Sequence, residues 1–228
     1  MKKTVVISLG GSLIIPNDIG TSFLKQFKKI ILKNTNKHKF IIVCGGGSIA
    51  RKYISALNKT GANETLQSFA GISATRMNAR FMSYFFGQNQ EMGIPHKMSE
   101  LKSYIKKFDT VFCGALEYKP RQTSDSTAVE IAEEFGCNFI NLTDVSGLHD
   151  KNPKKFKNAR FIPKISWRDF YAMANKIEFR PGQHFILDQN AAKMIMQRQI
   201  KTYILGKDIR QLDRLLNNEK FVGTIIAG

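Results

Sequence analysis

Two runs of glycine, each placed where an apolar stretch ends, are the residues of this 228-residue chain best suited to chemistry. Gly10-Gly11-Ser12 follows VVISL, and Gly45-Gly46-Gly47-Ser48 follows FIIVC. Glycine has no Cβ, so its N–H can approach an anion closely. A helix that starts just beyond adds its partial positive charge. Neither run is a Walker loop, and neither matches G-x-G-x-x-G. Arg51 falls about one turn past Gly47, where its planar fork can reach a phosphate held at the helix start. Taken alone, the same residue also reads as a solvated surface arginine.

Two more segments carry candidate chemistry. In PRQTSDSTAVEIAEEFG, Thr123, Ser124 and Asp125 gather ahead of an apolar stripe of Ala128, Ile131, Ala132 and Phe135. That pattern caps a helix. It also offers hydroxyls to a phosphate, with an acid to organise the charges around it. The segment TDVSGLHDKNP, residues 143–153, follows the apolar run CNFINL. It reads as a turn-rich loop or as a nucleotide-binding loop at a strand end.

The elements that must position these residues follow from periodicity. Short β-branched runs (TVVIS, FIIVC, TVFCGAL, CNFINLT, KTYILG, FVGTII) alternate with amphipathic segments at 21–33, 48–59, 64–86, 99–107, 125–135, 166–176, 190–198 and 208–217. Such alternation predicts an α/β fold with a largely parallel inner sheet. Ligands of such sheets bind at the carboxyl ends of the strands. The segment 146–164 is the most loop-like and is read as loosely separating two lobes.

Composition sets the bounds. The chain is 43% hydrophobic, enough for a sizeable core, and apolar runs recur along its length. None approaches the roughly 20 residues of a membrane span. The N-terminal MKKTVVISLGGSLII is read as a first strand rather than a leader, because glycines interrupt it. The expected setting is the cytoplasm, away from membranes. Net charge is +17, which favours anionic partners: nucleotides, phosphates or nucleic acid. Part of that charge is ordinary surface, as in FLKQFKKIILKN, where lysines and apolar residues take opposite sides of a helix. Cys44, Cys113 and Cys137 sit in or beside apolar runs without ligand spacing and read as buried small hydrophobes. No protein-held metal site is expected.

The order of these segments resembles the amino-acid kinase superfamily, and most closely its archaeal-type uridylate (UMP) kinases. The resemblance covers nearly the whole chain. It is carried by ISLGGSLI, CGGGSIARKYI, GANETLQSFAGISATRMNA, PRQTSD, TDVSGLHDKNP, FILDQNAAKMI and KTYILG. The related isopentenyl phosphate kinases typically have a catalytic histidine after the glycines; here that region reads SIARKYI.

The resemblance implies a three-layer α/β/α sandwich over 1–228, with an acceptor lobe of roughly 1–140 and an ATP lobe of roughly 141–228. It implies direct transfer of the ATP γ-phosphoryl group to UMP with Mg²⁺. Gly10, Gly11 and Ser12 would cradle ATP phosphates, and Gly46 would face UMP. Gly47 and Arg51 would lie where the two phosphates meet. Tyr118, Lys119, Pro120, Arg121, Gln122, Thr123 and Ser124 would hold UMP, with Asp125 organising the centre. Thr143, His149 and Asn152 would lie on the adenine side.

Members of this branch are usually hexamers built from dimers, with UTP as feedback inhibitor. The chain departs from the family pattern at several places. Ser8 stands where a lysine is common, and Lys193 is the candidate compensating cation. Ser68 stands for an acid that meets the ribose, and Arg121 for a glycine. Ser146, His149 and Asn152 replace two acids and an aromatic hydroxyl. Two rival readings go with these departures: a kinase of the same fold acting on another small phosphate or nucleotide, and a nucleotide-binding protein without catalysis.

Overall fold

The computed structural model describes residues 2–88, 93–120, 122–176 and 186–228. Its strands are β1 (Lys3–Leu9), β2 (His38–Cys44), β3 (Thr110–Cys113), β4 (Phe139–Leu142), β5 (Lys164–Ile165), β6 (Thr202–Leu205) and β7 (Thr224–Ile226). The helices are α1 (Gly11–Ile14), α2 (Thr21–Asn34), α3 (Gly47–Lys59), α4 (Glu64–Phe85), α5 (Met98–Lys107), α6 (Ser124–Glu134), α7 (Trp167–Asn175), α8 (Gln189–Arg198) and α9 (Arg210–Leu216).

The strands form a seven-stranded sheet in the order β3-β2-β1-β4-β6-β7-β5. All its pairings are parallel except β6–β7. Strand side chains alternate between faces, so a run that is apolar at every position must be covered on both. The β2 residues Phe40, Ile42 and Cys44 join Leu24, Phe27, Met82 and Leu212 in one core cluster. Ile41 and Val43 join Leu101, Ala128, Ile131 and Ile195 in another, on the opposite face. The result is an α/β/α sandwich, as expected. Among the described residues no helix is long and apolar enough to cross a membrane.

Most expected elements appear within a residue or two of their predicted limits. Several differences have physical causes. Gly11 opens a one-turn helix, α1, ahead of the first helix predicted at 21–33, and Ile15 N–H closes it by donating to Gly11 O. The strand in TVFCGAL stops at Cys113. The chain passes so close to α4 at Gly114 that an added Cβ would lie 2.6 Å from the Arg76 amide nitrogen. β5 has two residues, too few to show a period.

The segment 146–164 is tied to the sheet. Leu148 is fully buried, its N–H donates to Thr224 Oγ1 at 2.8 Å, and Ile162 N–H donates to Leu148 O. Cys44 and Cys113 are buried and Cys137 partly so, all three as free thiols. Burial pushes Cys113 up to about 12 and Cys137 to about 11, so neither is a ready thiolate.

Candidate active site

Strand order reverses direction between β1 and β4: β2 and β3 extend to one side, β6 and β7 to the other. In an open parallel sheet that switch point leaves a crevice at the carboxyl ends of the strands. Gly10 follows β1 there and Thr143 follows β4. Gly10 N–H donates to Leu142 O at 2.9 Å, and Thr143 N–H to Leu205 O at 2.9 Å.

The two glycine loops meet in this crevice, backbone against backbone. A Cβ on Gly11 would sit 2.0 Å from Gly47 N, and one on Gly45 would sit 2.5 Å from Gly11 N. Gly47 has φ +63°, a left-handed conformation, and its Cβ would meet Gly11 O at 2.6 Å. Ser48 N–H donates to Ile15 O at 3.1 Å, joining α3 to the first loop. The glycines are therefore required by the mutual approach of two loops, a reason that anion binding alone does not supply.

Arg51 lies in the first turns of α3 and is exposed. With Asn17, Ser48, Lys52, Ser55 and Lys59 it lines an open groove of about 510 Å³. Three cations on one wall make this groove attractive to anions.

Asp125 is brought to the same crevice from α6. Ser8 lies with Val6 on the β1 face that packs against α6, and its hydroxyl donates to Asp125 Oδ1 at 2.7 Å. Burial pushes the Asp125 carboxyl up to about 7; the Ser8 bond pulls it down and the charge of Asp188 pushes it further up.

Asp188, which the sequence reading did not single out, is the best-satisfied acid near the site. Thr123 Oγ1 donates to its Oδ2, Ser126 Oγ donates to both oxygens at 2.9 and 3.0 Å, and Ala191 N–H donates to Oδ1 at 2.9 Å. Asp188 thus caps α8 and ties it to the start of α6. The signal for it was present, as an aspartate directly before a helical run. Thr123 caps α6 by accepting from the N–H groups of Asp125 and Ser126.

The remaining expected residues are distributed as follows. Lys119 pairs with Glu130, and Gln122 Nε2 donates to the other Glu130 oxygen at 2.9 Å, so both turn toward α6. Tyr118 lies against Phe69, ring centroids 4.9 Å apart. Pro120 is exposed beside them, Ser124 opens α6, and Ser12 lies in α1. Arg121 lies outside the described residues.

Gly46 faces α4, with Gly71 O and Ala74 Cβ each 3.6 Å from where its Cβ would stand. Ser68 is on α4, partly buried, one turn before Gly71. Ser146 is exposed beside Gly147. His149 donates from Nδ1 to Gly147 O at 3.0 Å and packs edge-on against Phe161. Asn152 Oδ1 accepts from Lys154 N–H at 2.9 Å. Lys193 is exposed on α8, away from the buried Ala191, Ala192 and Ile195. Among the described residues no hydrogen bond or ion pair joins it to Asp125. Nor does any group of three His, Cys, Asp or Glu there have the arrangement to hold a metal.

Comparison with known proteins agrees with this fold. The chain matches the model of the amino acid kinase family over residues 3–206. It is 33% identical to the uridylate kinase of Thermoplasma acidophilum over 229 residues, covering 99% of this chain and 97% of that one. It is 31% identical to the uridylate kinase of Thermococcus kodakarensis over 204 residues, covering 89% of this chain and 90% of that one. The crystal structure of uridylate kinase from Archaeoglobus fulgidus superposes with a TM-score of 0.83 at 31% identity, over 100% of both chains. That of UMP kinase from Ureaplasma parvum shares the fold, with a TM-score of 0.79 at 21% identity over 100% of both chains.

Proposed function

We propose, from the premise that the chain belongs to the amino acid kinase family, that it transfers the γ-phosphoryl group of ATP to UMP to form UDP. The observation that carries this reading is the end-to-end likeness to uridylate kinases. The interlocked glycine loops and Asp125 at one crevice support the same chemistry.

Phosphoryl transfer needs positioning and charge neutralisation more than a base, and the UMP phosphate is a nucleophile at neutral pH. In this reading Gly10, Gly11 and Ser12 cradle the ATP phosphates, and Gly46 faces UMP. Gly47 and Arg51 lie between the two phosphates, where glycine admits both anions and the arginine offsets their repulsion. Asp125 orders the groups around them. Lys193, Thr143, His149 and Asn152 belong to the donor side, on the lobe of roughly 141–228. Ser68 and the segment 118–124 belong to the acceptor side, on the lobe of roughly 1–140. Magnesium would enter with ATP, as part of the donor substrate, and would offset phosphate charge there.

The expected assembly is a homohexamer, a trimer of dimers. Supporting it, Tyr53 on α3 and Leu66, Phe69, Met77 and Tyr84 on α4 are large apolar side chains left exposed in a single chain. Cytoplasmic pyrimidine nucleotide synthesis with UTP as feedback inhibitor completes the reading.

One assay tests it. ATP is supplied with UMP, CMP, dUMP or isopentenyl phosphate, and ADP release is followed by a coupled reaction. The expected result is turnover that is fastest with UMP. Faster turnover with another acceptor would favour the broader small-phosphate kinase, and binding of nucleotide without turnover would favour a non-catalytic protein.

A further inference from the structure

The ATRMNA segment of α4 is not accounted for by the site described above, yet its side chains reach two of the site's loops. Asn78 is buried, and its Nδ2 donates to Gly45 O at 2.7 Å, at the entrance to the second glycine loop. Thr75 Oγ1 accepts from Ala115 N–H at 3.0 Å and donates to Ile72 O at 2.7 Å. Arg76 Nε donates to Ala115 O at 3.1 Å, and its Nη2 donates to Leu116 O. A Cβ on Gly114 would lie 2.6 Å from both Arg76 N and Thr75 Oγ1, so the exit of β3 runs directly over this turn of helix. Farther toward the start of α4, Phe69 packs on the Tyr118 ring and Thr65 Oγ1 lies 3.5 Å from the Tyr118 hydroxyl.

From these contacts we infer that the Thr75–Asn78 turn is a clasp that fixes the acceptor segment 114–118 against the glycine loop 45–47, with Arg76 and Asn78 as positioning residues. The chemistry of Arg76 supports the inference. Its guanidinium is partly desolvated, and burial lowers its pKa. Among the described residues no carboxylate lies within ion-pair distance of it. Its fork instead holds two successive carbonyls, which fixes the planes of both peptides as the chain leaves β3. Asn78 does the same for the other loop through one carbonyl. The two loops are far apart in sequence, but both are referred to a single turn of one helix. Displacement of a bound reactant by about 1 Å is enough to slow a reaction roughly a hundredfold, so the distance between these loops matters for transfer.

The inference rests on the functional reading above for what the loops hold, and on geometry alone for the clasp. Its test uses the full chain as Arg76→Ala, Arg76→Lys and Asn78→Ala. Readouts are amide hydrogen exchange in the free protein, KM for UMP and for ATP, and the unfolding midpoint.

Arg76→Ala is expected to speed exchange at 115–120 by roughly tenfold or more and to raise the UMP KM similarly, because a charge-assisted bond to each carbonyl is lost. The ATP KM should stay within about twofold, since its loops are not touched. Arg76→Lys keeps a cation with one contact and should restore part of both effects. Asn78→Ala should speed exchange at 45–48 instead and lower kcat. Unchanged exchange at 115–120 in a folded Arg76→Ala variant overturns the clasp, as does an equal rise in both KM values. A wild-type chain that does not phosphorylate UMP refutes the proposed function, while the exchange measurements still decide the clasp.

Discussion

The crevice has two walls built on different principles. One is the pair of glycine loops after β1 and β2, where backbone touches backbone and almost nothing but glycine fits. The other is the loop after β4, residues 143–163, where side chains supply part of the contacts: Asp144 with Lys154, Asn152 with the Lys154 amide, and His149 with Phe161. A wall made of backbone tolerates no change of residue at its contacts. A wall made of side chains can be rebuilt residue by residue. On the resemblance drawn from the sequence, the departures at Ser146, His149 and Asn152 fall in the second wall, where this difference permits them.

The largest effect should come from breaking the first wall. In Gly11→Ala the new methyl would be placed 2.0 Å from Gly47 N, with backbone on both sides and no flexible group to yield. The loops must separate, and overpacking of this kind costs about 1–3 kcal/mol or more. The expected outcome is loss of measurable turnover with a lowered unfolding midpoint. A variant with wild-type turnover would show that the loops are not in contact.

Much of the fold was legible because apolar period and turn residues are local signals. The α3 start at Gly47 and the α6 start at Ser124 could be read directly from GGGS and TSD. The partners of these segments could not, since contact between Gly11 and Gly47 is a fact of folding with no trace in either stretch. Arg76 was invisible as a positioning residue because its partners are backbone carbonyls, which every residue has. From the sequence, Asp188 shows only as an ordinary helix cap. Its hydrogen bonds to Thr123 and Ser126 come from a different helix, which sequence spacing does not encode.

The next effect concerns the charges between the walls. Arg51→Ala removes an exposed cation from the first turns of α3 and should reduce turnover about tenfold to a hundredfold, the equivalent of a charge-assisted hydrogen bond. Its fold should be unchanged, since Arg51 is exposed. Near wild-type turnover would remove Arg51 from the site.

Asp125 gives a pH signature. Its carboxyl has a pKa of about 7 in the folded chain, above the 3.8 of an ordinary aspartate, mainly through burial. The folded state then binds more protons than the unfolded state between those values, so this group's contribution to stability is full below about pH 4 and falls as pH rises toward 7. Asp125→Asn should raise the unfolding midpoint relative to wild type at pH 8, with the gap closing at pH 4, while lowering turnover. Equal midpoint differences at both pH values would mean that the Asp125 carboxyl does not titrate in this way.

The smallest effect lies in the second wall and sharpens the comparison most. His149→Phe keeps a ring against Phe161 and removes the Nδ1–H bond to Gly147 O. A neutral hydrogen bond at a partly exposed site contributes about 0.5–1.5 kcal/mol, so the unfolding midpoint should fall by a few degrees. The ATP KM should change by no more than about threefold, the part of that range which reaches the site. Gly147, two residues earlier in the same loop, follows the rule of the first wall. It has φ +152°, and its Cβ would meet Phe161 at 2.7 Å and Thr224 Oγ1 at 2.8 Å. Thr224 Oγ1 also accepts from Leu148 N–H, so it has little freedom to move aside. Gly147→Ala should therefore lower the midpoint well beyond His149→Phe, through strain at positive φ added to the clash. Thermal unfolding of the two variants side by side decides the matter. Equal midpoints would mean that backbone contact does not set which residues of this crevice are free to change.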